Sequence, residues 1–127
     1  MPVWLRSGRI AAAAGAMGDP DTGPIVLLTR VDGGGPAFGR FRLASDLVRL
    51  VVRGSCAIDG HAYVAGDMRA QIAGTPVGEA VAGPDGLDEV IVVADRRHLV
   101  PSATDDPEWA DALTTVLADL HGRLAGR

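Results

Sequence analysis

Three arginines near the middle of the chain have a spacing that could support chemistry. Arg40 and Arg42 are two residues apart, so in a β-strand their side chains share one face. Arg49 lies in the next apolar run, LVRLVVR. A guanidinium stays charged and binds a carboxylate through two parallel hydrogen bonds. If these arginines face an interior, we expect them to bind a small organic anion or to pair with acids, of which Asp46 and Glu79 are the nearest.

Other polar residues are candidates for acid–base chemistry or for a cavity wall. Glu79, Tyr63 and His61 can exchange protons, and we assign them as catalytic candidates. Gln71 is a candidate wall residue that can bind a ligand. Each of these side chains is equally at home on a hairpin or as half-buried barrel filling. The three histidines lie on separate predicted elements, so their spacing does not predict a zinc site.

Composition excludes several classes of function. The chain has 127 residues, of which 47% are hydrophobic, which suits one domain with a real core. Its net charge is -4 and its 12 basic residues are scattered, so we expect no nucleic-acid partner. No apolar run approaches the length of a membrane span, and we expect no membrane association. The single cysteine, Cys56, cannot form an intramolecular disulfide, which suits a cytoplasmic location.

The predicted elements are a β-rich middle and one helix. Short runs rich in Val, Ile and Leu, bounded by Gly, Pro, Asp or Ser, recur from residue 25 onward and predict a barrel or sandwich. Asp59-Gly60 predicts a tight hairpin turn. We therefore divide the chain into an N-terminal arm (residues 1–24), a β-barrel (25–101) and a C-terminal helical segment (102–127).

The C-terminal segment changes to a helical period. Apolar residues recur there at intervals of three and four, and Pro107 and Glu108 suit a first helical turn after an N-cap at Asp106. The pattern predicts a helix from about Pro107 to Leu124 that packs across the barrel or against a partner subunit, with a homodimer expected. Its apolar face consists of Trp109, Leu113, Val116, Leu117, Leu120 and Leu124.

Two glycine-framed stretches resemble the motifs of the cupin superfamily. The second motif of that family has glycine, proline, glycine, histidine and asparagine where this chain has Gly66, Ile72, Gly74, Val77 and Val81. The first has glycine, two histidines, glutamate and glycine where this chain has Gly34, Arg40, Arg42, Leu47 and Gly54. The resemblance implies an all-β jelly-roll barrel in which the arginines face the interior and Leu47 and Val77 form an apolar wall.

The resemblance also implies that the usual metal ligands are replaced. Leucine and valine have no donor atoms and arginine repels a cation, so we expect no metal and no cofactor. Strand parity stays open, because a shift of one residue would turn the arginines toward solvent.

Three functions remain open. The first is a metal-independent barrel that binds an organic anion and catalyses an isomerisation, cyclisation or elimination. The others are a non-catalytic ligand sensor and a structural or assembly protein. The first is our prediction, with catalysis left open.

Overall fold

The computed structural model describes residues 4–19, 21–38, 41–98, 103–104 and 107–125. In these residues it has strands, a short 3-10 turn at Arg96–His98 and one helix. The strands are β1 (Leu5–Ser7), β2 (Ile10–Ala16), β3 (Ile25–Val31), β4 (Pro36–Phe38), β5 (Phe41–Arg42), β6 (Leu47–Ile58), β7 (His61–Val64), β8 (Met68–Gln71), β9 (Pro76–Val77), β10 (Ala80–Val93) and β11 (Ala103–Thr104), and the helix is α1 (Pro107–Ala125).

The strands form two antiparallel sheets. The large sheet has the order β1-β2-β3-β10-β6-β7, with β8 beside the first part of β6 and β4 beside β10. The small sheet has the order β11-β5-β9. The predicted all-β architecture with one C-terminal helix is therefore confirmed.

Alternation along the strands decides which side chains face the interior. On β6, Leu47, Arg49 and Val51 are buried, whereas Val48, Leu50 and Val52 are exposed. Because directly paired residues share a face, the register gives two interior rows across β3, β10, β6 and β8. These rows are Leu27, Ile91, Arg49 and Arg69, and Ile25, Val93, Leu47 and Gln71.

A bulge at Val52 interrupts the pairing of the long strand β6 with β10. Glu89 pairs with Val51 and Asp88 with Arg53, so Val52 is an extra residue. Gly54 has a φ of 78°, and a Cβ there would collide with the carbonyl oxygen of Gly86. Beyond the bulge, Cys56 and Ile58 face the interior.

The first residues form strands where the sequence predicted only an arm. β1 pairs with β2, and β2 pairs with β3 along its whole length. The sequence signal was weak because β2 is mostly alanine, which has low strand propensity. Those small side chains are nevertheless buried from Ile10 to Ala14.

Helix α1 begins at Pro107, as predicted, and its apolar face is covered by its own chain. Its buried side chains join the barrel core, and the helix contacts β1 and β2. Glu108 accepts hydrogen bonds of 2.6 Å from the backbone N–H and Nη1 of Arg9. The predicted cap Asp106 and the side chain of Leu124 lie outside the described residues. No helix in the described part of the chain is long and apolar enough to cross a membrane.

Candidate functional site

A charged pair lies inside the barrel. The side chains of Arg49 and Glu89 are 3% and 4% exposed. Nε of Arg49 donates to Oε2 of Glu89 over 2.9 Å, and Nη2 donates to Oε1 over 2.5 Å. The guanidinium also stacks 4.0 Å from the centroid of the Phe38 ring. This bidentate ion pair compensates both buried charges.

A second arginine lies directly beside this pair. Arg69 on β8 is the register partner of Arg49, so two guanidinium groups leave the same face of neighbouring strands. Glu89 compensates Arg49, but no ion pair joins Arg69 to an acid in the described ranges. Arg69 instead lies over Tyr63, with 5.5 Å from Cζ to the ring centroid. Like charges placed opposite each other destabilise a sheet unless an anion compensates them.

Several polar atoms on Arg69 and on nearby side chains are buried without a hydrogen-bond partner in the described residues. Nη1 of Arg69 and both amide atoms of Gln71 have no hydrogen-bond partner among the described residues. The Oγ1 of Thr29, whose register partner is Glu89, is also buried and has no hydrogen-bond partner among these residues. Each such atom costs about 1 to 3 kcal/mol when it is left unsatisfied. The interior therefore holds hydrogen-bonding capacity that the fold itself does not use.

Two small cavities meet at Arg49. One is lined by Arg49, Val51, Cys56, Ile58, Tyr63, Asp67, Arg69 and Glu89. The other is almost entirely apolar and is lined by Leu27, Leu43, Leu47, Arg49, Ile91, Val93, Trp109 and Leu113. Each measures about 10 Å³, close to the smallest volume that holds one water molecule.

The polar cavity contains groups of different reactivity. Burial raises the pKa of the Cys56 thiol, and the nearby Glu89 carboxylate raises it further. The thiol form is therefore favoured at neutral pH, which argues against a nucleophilic role. Asp67 is exposed, and its Oδ2 accepts a 2.8 Å hydrogen bond from the Val64 N–H. That contact holds the turn between β7 and β8.

The predicted arginine site needs correction. Arg42 is exposed, so its predicted direction into the barrel is wrong; β5 is only two residues long and the next residue, Leu43, takes the buried position. Arg49 does face the interior, but its acid partner is Glu89 and not Asp46 or Glu79. Arg40 lies outside the described residues.

The other predicted residues are dispersed. Leu47 and Gln71 are buried register partners, which brings a predicted wall residue beside a predicted ligand-binding residue. Tyr63 is half-buried at the polar cavity, with its ring 4.8 Å from that of His61. His61 and Glu79 are exposed. The backbone of Val77 pairs with Phe41, and its side chain is outside the described set.

Glu89 and Arg69 were not predicted as site residues, although the sequence contains a signal for both. Arg69 lies two residues before Gln71, so any strand that turns Gln71 inward also turns Arg69 inward. Glu89 opens an apolar run, EVIVV, in which alternation places it on the face of Ile91 and Val93. A charged residue at an inward position of such a strand indicates a buried partner.

The residues around Leu47 do not fit a metal ion. Leu47 was predicted to replace the glutamate of the cupin motif, and its neighbours in the apolar cavity are mostly aliphatic. Arg49 supplies only N–H donors there and carries a positive charge. Within the ranges described, no group of three or more His, Cys, Asp or Glu side chains could hold a metal.

Comparisons with known proteins give a consistent picture of the fold. No family model and no curated protein matches the sequence. An RmlC-like cupin protein from Ralstonia eutropha JMP134 superposes with a TM-score of 0.68 at 14% identity, over 99% of this chain and 83% of its own. KdgF from a Halomonas species gives 0.56 at 16% identity, over 72% of this chain and 86% of its own.

A larger protein shares the fold over part of its length. A variant of Bacillus subtilis oxalate decarboxylase superposes with a TM-score of 0.62 at 12% identity, over 74% of this chain. This chain spans only 27% of the length of that protein. At such identities the likeness shows the fold alone. The chain has the jelly-roll fold of the cupin superfamily.

Proposed function

We propose that the barrel interior binds a small organic anion, with Arg69 as the charged anchor and Gln71 as the hydrogen-bonding group beside it. The observation that supports this most strongly is the set of buried, unsatisfied polar atoms on these two side chains. Arg49 is less suited to the role because Glu89 already occupies its guanidinium. A carboxylate would compensate Arg69 and accept its free N–H groups.

The cation and the fold both support an anionic ligand. Arg69 and Arg49 are register partners, and Glu89 pairs with Arg49. Asp67, the other acid at this cavity, makes no ion pair with Arg69 in the described ranges. One protein of the same fold is named for its action on oxalate, a small organic anion. The Leu47 environment offers no metal ligands, so we propose binding through guanidinium and amide groups without a metal.

A ligand has to enlarge the cavity that it enters. The polar cavity has room for about one water molecule, whereas Tyr63 and Arg69 at its wall are only half-buried. We propose that a ligand enters past these two side chains and displaces the Arg69 guanidinium from the face of the Tyr63 ring. Tyr63 would then be within reach of the bound anion and remains the best placed of the predicted acid–base residues.

The test is a set of melting-temperature shifts and calorimetric titrations with small carboxylates such as acetate, pyruvate, oxalate and benzoate. We expect at least one acid to stabilise the wild type. Arg69→Met should weaken its binding roughly tenfold or more, since a charge-assisted hydrogen bond contributes about 1.5 to 3 kcal/mol. Arg6→Met, an exposed arginine on β1, is the matched control and should bind like the wild type.

The same variants separate a binding role from a purely structural one. If Arg69 is kept for a ligand, Arg69→Met should leave the free protein as stable or more stable, because it removes an uncompensated charge. The small cavity volumes favour a structural barrel as the second candidate function. That candidate is supported if no acid binds and Arg69→Met lowers the melting temperature.

A further inference from the structure

The face of the large sheet that points away from the interior carries two rows of apolar side chains. One row consists of Leu28, Val90, Leu50 and Met68, and the other of Val26, Val92, Val48 and Ala70, both running across β3, β10, β6 and β8. Met68 is 71% exposed, and Val48 and Leu50 are 38% and 36% exposed. Val52, 54% exposed, extends the patch along β6. A contiguous apolar patch of this kind marks an interaction surface.

The helix does not cover this face. The buried side chains of α1 belong to the interior core, and α1 contacts β1 and β2. Of the two predicted partners of α1, the barrel and a second subunit, the structure shows the barrel. The outer face of β10, β6 and β8 keeps apolar side chains exposed to solvent, among them Val48, Leu50 and Met68.

Charges border the two apolar rows at one end. Arg30, Asp88 and Arg53 are register partners on β3, β10 and β6, and they form a row with the order positive, negative, positive. Arg30 and Asp88 make an ion pair of 3.6 Å. Arg53 is exposed. An apolar centre with a charged border is the usual anatomy of a protein–protein interface.

We propose that this outer face binds the same face of a second copy of the chain. Two twisted sheets pack face to face, with their strand directions within about 30° of each other, when apolar side chains cover the facing sides. A two-fold axis parallel to the strands, midway between β10 and β6, places β10 of each copy over β6 of the other. Each apolar row then covers its own counterpart.

The same axis makes the charged border self-complementary. It places Asp88 of one copy opposite Arg53 of the other, and the two-fold symmetry repeats this contact, so it occurs twice in the dimer. A basic partner or a nucleic acid would find no matching charge among the apolar rows. The net charge of -4 also disfavours adsorption of this face to an anionic lipid surface.

The first experiment is to measure the mass of the wild type and of variants by light scattering and sedimentation equilibrium. We expect a wild-type dimer. Leu50→Lys and Val48→Lys should weaken dimerisation by roughly a hundredfold or more, because each change acts twice in a symmetric dimer. Thr115→Lys, on an exposed position of α1, is the control and should stay dimeric. Circular dichroism confirms that each variant is folded.

The second experiment tests the orientation of the two copies. Arg53→Asp and Asp88→Arg should each weaken the homodimer by placing like charges opposite each other. Mixing the two single variants should restore a heterodimer, because opposite charges then meet only across the interface, whereas each copy keeps like charges on its own β10 and β6. A wild type that stays monomeric at its highest attainable concentration overturns the proposal, whether or not it binds lipid vesicles or another protein. So does a dimer that is unaffected by both lysine variants.

Discussion

At the scale of single residues, the ion pair between Arg49 and Glu89 removes two charges from water. Removing one partner leaves the other charge buried and uncompensated, so Glu89→Gln should lower the free energy of unfolding by about 3 to 5 kcal/mol. Arg49→Met should have a similar effect. Replacing both residues, as in Arg49→Met with Glu89→Leu, should recover most of that loss because no charge stays behind.

Urea unfolding of the two single variants and the double variant provides the measurement. A double variant as unstable as the sum of the single variants would mean that the two side chains are not energetically coupled. That result would contradict the description of the pair as two buried charges that compensate each other.

Cys56 allows a second test at this scale. Because burial and Glu89 raise the pKa of its thiol, alkylation by iodoacetamide should be slow at neutral pH and should accelerate only above the pH at which an ordinary cysteine reacts. Protein unfolded in urea is the control and should react at the ordinary pH. Fast alkylation of the folded protein at neutral pH would contradict the thiol assignment and reopen a nucleophilic role.

Part of this site was predicted from the sequence. Gln71 and Arg49 were both predicted to bind a ligand, and both are buried as an interior site requires. Arg42 was assigned wrongly because the parity of a two-residue strand such as β5 cannot be read from apolar alternation. Glu89 was missed because its partner is 40 residues away in the chain and only the sheet register brings them together.

At the scale of elements, α1 is the part that the sequence predicted best. Leu113 is 2% exposed and Leu117 is half-buried on the same helix. Leu113→Ala should therefore destabilise the protein by about 2 to 5 kcal/mol, and Leu117→Ala by clearly less. Thermal unfolding of the two variants side by side checks this. Equal effects of the two changes would mean that the helix does not pack on the barrel through the Leu113 side.

The N-terminal strands show the opposite case. The helix was recognisable because long apolar side chains at intervals of three and four are typical of an amphipathic helix and rare in strands. β2 was not recognisable because alanine carries no strand signal, and its burial depends on neighbours far along the chain. Small residues there let β1 and α1 pack closely against the strand.

At the scale of the whole molecule, the glycine frame of the cupin motifs predicted the fold although the histidines and the glutamate of those motifs were absent. Gly54 shows why the frame carries information of its own. Its positive φ and its approach to the Gly86 backbone leave no room for a side chain, whatever the barrel binds. Function depends instead on the residues that fill the frame, and these have diverged here.

The contact of α1 with β1 and β2 has a consequence for synthesis of the protein. The ribosome produces strand β2 long before helix α1, so the alanines of β2 are not covered by the helix until residues 107–125 have been made. Contacts between such distant parts of a chain form late and slow folding. A nascent chain halted before Pro107 would expose the apolar wall that Trp109 and Leu113 cover, and would be a substrate for chaperones until translation resumed.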